Sequence, residues 1–230
     1  MGLELFIIIA LASLLVQWRF KSKFTHYSEI ALSSGMSGKE VAEKMLLEHG
    51  ITNVSVVSVE GKLSDHYNPE EFTVNLSPEV YNGRSIAAAA VAAHECGHAI
   101  QHAKAYAWLT LRTTLVPMVS VASNLLRWVF MLGIFMIASA FGQILLLIAF
   151  SAMIIVTTFS LITLPVEFDA SRRALAWLNT NKNVVQTKAE HDQAKDALWW
   201  AAMTYVVAAL GAIAQLIYLA MMLFSGRRND

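Results

Sequence analysis

The chain has 230 residues, with 17 basic against 17 acidic side chains and 56% hydrophobic content. A mean hydropathy of +0.50 is too apolar for a soluble domain of this length and marks a membrane protein. Balanced charge gives no reason to expect a nucleic-acid partner, and a single cysteine, Cys96, excludes an internal disulfide framework.

Residues 3–17 are almost wholly apolar, and Trp18, Arg19, Lys21 and Lys23 follow at once, the pattern of a short span with an aromatic and basic anchor on its inner side. A cleaved signal peptide would carry its positive charge before the apolar run. Glu4 is the only charge there, so an uncleaved anchor is expected. Residues 24–110 are polar enough for a soluble region. The capping-box pattern Ser37-Gly38-Lys39-Glu40 predicts a helix reaching Glu48 and closed by Gly50. The stretches 54–59 and 72–76 read as strands, the first β-branched and the second alternating, with Asp65-His66-Tyr67-Asn68-Pro69 as a turn or loop between them. The 72–76 strand is either ordinarily paired or an open edge that holds an extended peptide by strand addition.

From Ser85 onward an alanine-rich run, 86–100, predicts a helix whose one interior breaker is Gly97. Two apolar blocks, 116–141 and 144–164, are separated by Gly142-Gln143 and predict a transmembrane hairpin. Arg127 within the first block reads as a structural, interfacial residue. A polar segment, 167–196, is helical over 167–178 and broken at 179–183, and a last apolar block, 197–224, completes about four spans.

Basic residues crowd the segments after the first and third spans, so the positive-inside rule puts both polar segments in the cytoplasm; Arg227-Arg228 points the other way. The expected organisation is an anchor over 1–20, a catalytic region over 21–114, the hairpin over 115–165, a helical segment over 166–196 and a C-terminal helix and tail over 197–230.

His94-Glu95-Cys96-Gly97-His98 is an H-E-x-x-H sequence. On a helix, spacing of four residues stacks both imidazoles on one face, where they can chelate one ion. Glu95 projects beside them and is placed to take a proton from metal-bound water, whose pKa zinc lowers to about 7. Nitrogen donors joined by a carboxylate in a tetrahedral site favour zinc, one ion per chain. The surrounding helix is uncharged from Ala87 to Ala93, so three polar residues in its middle require a reason. Cys96 points to a different helical face and is not expected to be a ligand.

A catalytic site needs a third protein ligand. Gln101 and Lys104 occupy the positions where a metzincin extension would have glycine and histidine. His102 lies two turns from His94, about 12 Å along the axis, and reads as a neighbour of the site. Glu167 is the best-placed candidate, because it follows the span that returns the chain to the cytoplasmic face. Asp169, Glu190 and His191 remain as alternatives. His66, Tyr67, Arg172 and Tyr205 are candidate donors for negative charge developing on a substrate carbonyl.

The sequences His-Glu-Cys-Gly-His-Ala-Ile-Gln-His-Ala at 94–103 and Leu-Pro-Val-Glu-Phe-Asp-Ala-Ser-Arg-Arg-Ala at 164–174 resemble the YugP-type neutral zinc metallopeptidases of bacterial membranes. The segments 65–69 and 76–81 resemble them as well. The resemblance implies a mainly α multi-pass protein of the bacterial inner membrane with a small α+β zincin-like catalytic domain, its active site facing the cytoplasm. It implies His94, His98 and Glu167 as zinc ligands, Glu95 as catalytic base, and a peptide or protein substrate; it implies no oligomeric state. The site is also similar to that of the HtpX-type and CAAX prenyl proteases, except that Ser171 stands where those have the aspartate that orients a metal-bound histidine. The alternative from another class is a catalytically inactive zinc-binding membrane scaffold.

Overall fold

The computed structural model describes residues 2–136 and 140–225. In chain order it contains α1 (Gly2–Ser28), α2 (Gly38–Glu48), β1 (Ser55–Ser58), β2 (His66–Asn68), β3 (Thr73–Leu76), α3 (Pro78–Tyr81), α4 (Ile86–Ala103), α5 (Ala107–Met136), α6 (Ala140–Thr180) and α7 (Lys188–Ser225). The chain divides into two compact units, one of residues 16–110 with 165–204, the other of residues 1–15, 111–164 and 205–230.

The first unit is built around α4. Its N-terminus is capped by Ser85, whose hydroxyl accepts from the Ala88 amide, and its alanines let neighbours approach closely on nearly every side. Helix α2, the short α3 and the sheet all pack on it. A helix surrounded in this way can be apolar all round, which accounts for the uncharged run before His94. Val41 and Met45 of α2, Val74 and Leu76 of β3, Ile86 and Ile100 of α4, and Leu178 of α6 share one core. As its sequence predicts, α2 opens on a full capping box: Glu40 N–H donates to the Ser37 hydroxyl while the Ser37 amide donates back to the Glu40 carboxylate at 2.7 Å. Gly50, at φ +71°, follows the helix.

The sheet has the order β1-β3-β2, with β1 parallel to β3 and β2 antiparallel to it. One expectation changes here and one alternative is decided. The 65–69 segment is not simply a loop, since His66–Asn68 forms β2. Strand β3 is central and paired on both sides, so it offers no open edge; β2 is an edge strand instead. Residues as short and polar as Asp65–Pro69 carry no period-two signal, and only pairing with β3 makes them a strand. The Asp65 carboxylate then accepts from both the amide and the hydroxyl of Ser77, tying the entry of β2 to the exit of β3.

The ends of the longer helices within this unit are tied in by polar contacts. Tyr27 of α1 donates to Asp196 of α7 at 2.7 Å, and Lys23 pairs with the same carboxylate at 2.8 Å. Trp177 and Asn181 donate to Glu48 of α2. Glu190 is no metal-site residue: it accepts from the backbone amides of Ser33, Gln186 and Thr187.

The second unit is helical, with a core that includes Leu126 and Val129 of α5, Leu145, Ala149 and Met153 of α6, and Ala212 and Leu219 of α7. Among the described residues, three helices are long and apolar enough to cross a membrane, over Ala107–Val129, Phe141–Thr180 and Lys188–Phe224. Gly142 and Gln143 are helical and belong to α6, so they do not separate the hairpin's two blocks. Arg127 is exposed. Arg227 and Arg228 lie outside the described residues.

The polar segment after the third apolar block does not start a helix of its own. Helix α6 runs unbroken through Pro165 to Thr180. Proline lacks the amide that would bond the preceding turn, and such a gap is tolerated in helices of apolar surroundings.

Candidate metal centre

Four residues separated by 73 positions converge in the first unit. His94 and His98, one turn apart on α4, set their rings edge to face with centroids 4.8 Å apart. Glu167 of α6 brings its Oε2 to 3.3 Å from His94 Nε2 and 3.7 Å from His98 Nε2. One donor atom from each of the three lies within 4.8 Å of the others. Zinc bonds of about 2.0–2.1 Å at a tetrahedral angle separate ligand atoms by about 3.3 Å, so the donors fit that ion in type and the carboxylate's distances to the two nitrogens are close to its spacing. Glu95, buried beside them at 7% exposure, completes the cluster.

Close approach of two backbones makes this convergence possible. A Cβ added at Gly97 would stand 2.6 Å from the carbonyl oxygen of Ala170 and 3.0 Å from its Cα. Glycine at this position is what lets α4 and α6 come together, and Ala170 is flanked on α6 by Glu167 on one side and Ser171 on the other.

Each imidazole is held at its far nitrogen. The Gln101 amide nitrogen donates to the Val166 carbonyl at 2.8 Å and to Asp169 Oδ2 at 3.0 Å. Both of those groups only accept, so the amide oxygen must face His98, whose Nδ1 lies 3.0 Å away and therefore donates. That assignment leaves the His98 Nε2 lone pair facing Glu167 and available to a metal. Gln101 itself is fully buried. The Ser171 hydroxyl lies 3.1 Å from His94 Nδ1, so the residue that departs from the aspartate pattern still meets the histidine.

Charge at the site follows from burial and neighbours. Burial pushes the Glu95 carboxyl above its ordinary range, against the opposing pull of His94 and His98. Burial alone would lower His98, but the Glu167 carboxylate more than offsets it and the imidazole titrates high. Cys96 is buried, its thiol pushed well up, and it points to the Ala42 carbonyl rather than to the cluster.

The remaining candidates separate. Asp169 lies on α6 but is engaged by Gln101, by Arg173 at 2.6 Å and by Arg172, and it is not among the three converging donors. Tyr67 on β2 has its hydroxyl 2.8 Å from His102 Nδ1, and Phe72 stacks on the same imidazole at 5.5 Å. His66 meets the Ser64 carbonyl and Asn75. His191 faces the Leu175 carbonyl. Tyr205 belongs to the other unit.

Sequence reasoning missed Gln101 as a partner of His98 and saw in Ser171 only the replacement of an aspartate, not a contact with His94. The only sequence signal for Gln101 was its position three residues after His98, on the same helical face.

A pair of histidines one turn apart, one buried and one half-buried, a carboxylate donor from a second helix and an adjacent glutamate together define the site class of a zinc metallopeptidase. The chain belongs to the family described as "Putative neutral zinc metallopeptidase", which it matches over residues 3–224. It is 40% identical over 231 residues to the "Putative membrane protease YugP" of Bacillus subtilis (strain 168), covering 98% of this chain and all of that protein. No solved structure matches the chain.

Proposed function

We propose that the chain is a zinc-dependent endopeptidase that cleaves membrane or membrane-proximal proteins at the cytoplasmic face of the bacterial inner membrane. The observation that carries this reading is the convergence of His94, His98 and Glu167 beside buried Glu95. His94 and His98 bind the ion through Nε2 and Glu167 through its carboxylate. Bound there, zinc supplies a Lewis acid for the scissile carbonyl and lowers the pKa of water to about 7.

The chain's own groups do the rest. Glu95 accepts a proton from the attacking water and hands it to the departing amine; a carboxyl raised by burial suits both halves of that transfer. His94 and His98 keep their protons on Nδ1, facing Ser171 and Gln101, so that Nε2 stays free. Tyr67, on the edge strand β2, His66, Arg172 and Tyr205 are the candidate donors to the carbonyl oxygen as it becomes negative. Strand β2 also offers open backbone groups to an extended peptide.

The surroundings support a membrane protein of four spans with a small zincin-like domain formed by α4, α2 and the sheet. Helix α1 is the fourth span: Ile7, Ile8, Leu11, Leu14 and Leu15 are all strongly exposed, as side chains facing lipid are. The organisation is then the anchor over 1–20, the catalytic region over 21–114, the hairpin over 115–165, the ligand-bearing segment over 166–196 and the last helix and tail over 197–230.

The test is Glu95→Gln in the full-length protein. Zinc content should be unchanged while cleavage of a casein-type substrate falls by about 10²–10⁴-fold, the usual contribution of a general base. Retained zinc with no cleavage by either protein would favour an inactive zinc-binding scaffold, and cleavage unaltered by the substitution would remove Glu95 as the base.

A further inference from the structure

A groove between α6 and α7 reaches Ser171, behind His94, and has a cavity volume of about 410 Å³, within the range of sites that hold ligands. Phe168, next to Glu167, and Ser171, which meets His94, form one end. Its walls are mainly apolar: Phe168 and Trp199 face each other with ring centroids 6.5 Å apart, and Leu175 lies farther along. Trp199 is 53% exposed although it lines this groove.

The charged lining is of one sign. Arg172 and Lys195 both border the groove, and none of the described residues lining it is acidic. Arg172 is paired with Asp169 yet its side chain is 77% exposed, leaving guanidinium donors open. Lys195 is exposed on α7. An apolar groove rimmed by cations, separated from the metal donors by Ser171 and the His94 ring, complements a polypeptide carrying bulky apolar residues next to an acidic one.

We propose that this groove receives a substrate segment distant from the scissile bond, behind His94, and selects apolar residues adjoining an aspartate or glutamate. The proposal rests on the peptidase reading above and adds the sequence class the site prefers.

Binding is measured by fluorescence anisotropy on the zinc-loaded, full-length Glu95→Gln protein in neutral detergent. Two labelled peptides share one apolar core and differ in carrying glutamates or lysines at one end. The acidic peptide should bind about five-fold more tightly, the effect of one partly exposed ion pair of about 1 kcal/mol. Lys195→Glu should reverse the order, and Trp199→Ala should weaken both peptides. Equal binding of the two peptides, or a preference that Lys195→Glu leaves unmoved, overturns the proposal. So does loss of the preference to phosphatidylglycerol vesicles but not to phosphatidylcholine vesicles, which would make the groove a lipid-headgroup site. Cleavage of both peptides at equal efficiency by the wild-type protein overturns the groove's role alone. Intact acidic preference with no cleavage of any peptide overturns the peptidase reading and leaves a peptide-binding groove.

Discussion

Gln101 joins the metal helix to α6 through one amide, and its removal separates two effects. Gln101→Leu keeps the volume close but leaves the His98 Nδ1–H, the Val166 carbonyl and Asp169 short of a partner, at a cost of about 1–3 kcal/mol of stability. Zinc affinity should fall about 10–100-fold, as it does when the group that orients a ligand histidine is lost; competition with a chromogenic chelator measures it. An unchanged affinity would show that His98 needs no orientation. At this scale the sequence revealed the residues whose chemistry is written in their spacing: His94, Glu95 and His98 on one helical turn, and Glu167 by its place after a span. Gln101 and Ser171 stayed hidden because a neutral polar side chain acquires its meaning only from what lies across the helix interface.

Among the elements, the contact of α4 with α6 is the most sensitive. Gly97→Ala puts a methyl group against the Ala170 backbone, which has no flexible end to move aside. The expected cost is about 1–3 kcal/mol of overpacking, and the added separation pulls Glu167 away from the two imidazoles. Zinc binding should therefore weaken in a variant that alters no ligand, and isothermal titration of the purified protein reads this directly. The capping box of α2 gives a milder case: Ser37→Ala should lower thermal stability by about 1 kcal/mol with the zinc site intact, checked by a melting curve beside a zinc assay. The Ser37 amide and hydroxyl hold the Glu40 carboxyl below its ordinary range, so this cap is fully present above that range and is lost as pH falls through the lowered value. Helix α2 and strands β1 and β3 were legible because caps and alternation are local signals. Strand β2 was not, since three residues become a strand only by pairing, and the reading of Gly142-Gln143 as a break failed because glycine is tolerated inside a long apolar helix.

For the whole molecule, the decisive measurement is sidedness. Cys96 is buried and free, so Cys96→Ala provides a background for single cysteines placed at Lys62 and Glu70 in exposed loops of the first unit. A membrane-impermeant maleimide should leave both unlabelled in intact cells and label them once the inner membrane is opened. Labelling of intact cells would put the proposed catalytic region outside. The membrane character was plain from hydropathy alone, and the H-E-x-x-H sequence pointed to its chemistry. Which distant carboxylate joins the histidines is a matter of topology: Glu167 follows an apolar block, as its place in the sequence suggests, although the helix carrying it begins at Ala140 and not at Glu167.

That continuity of α6 has a mechanical consequence. A ligand on a loop can absorb a change in the length of the chain beside it, but Glu167 and Ala170, which meets Gly97, share one uninterrupted helix. One residue added between them would turn the carboxylate by about 100° and displace it by about 1.5 Å relative to that contact. The turn from Ala170 to Glu167 thus serves as a ruler whose phase is set where the two backbones touch, and its length is dictated as much by angle as by distance.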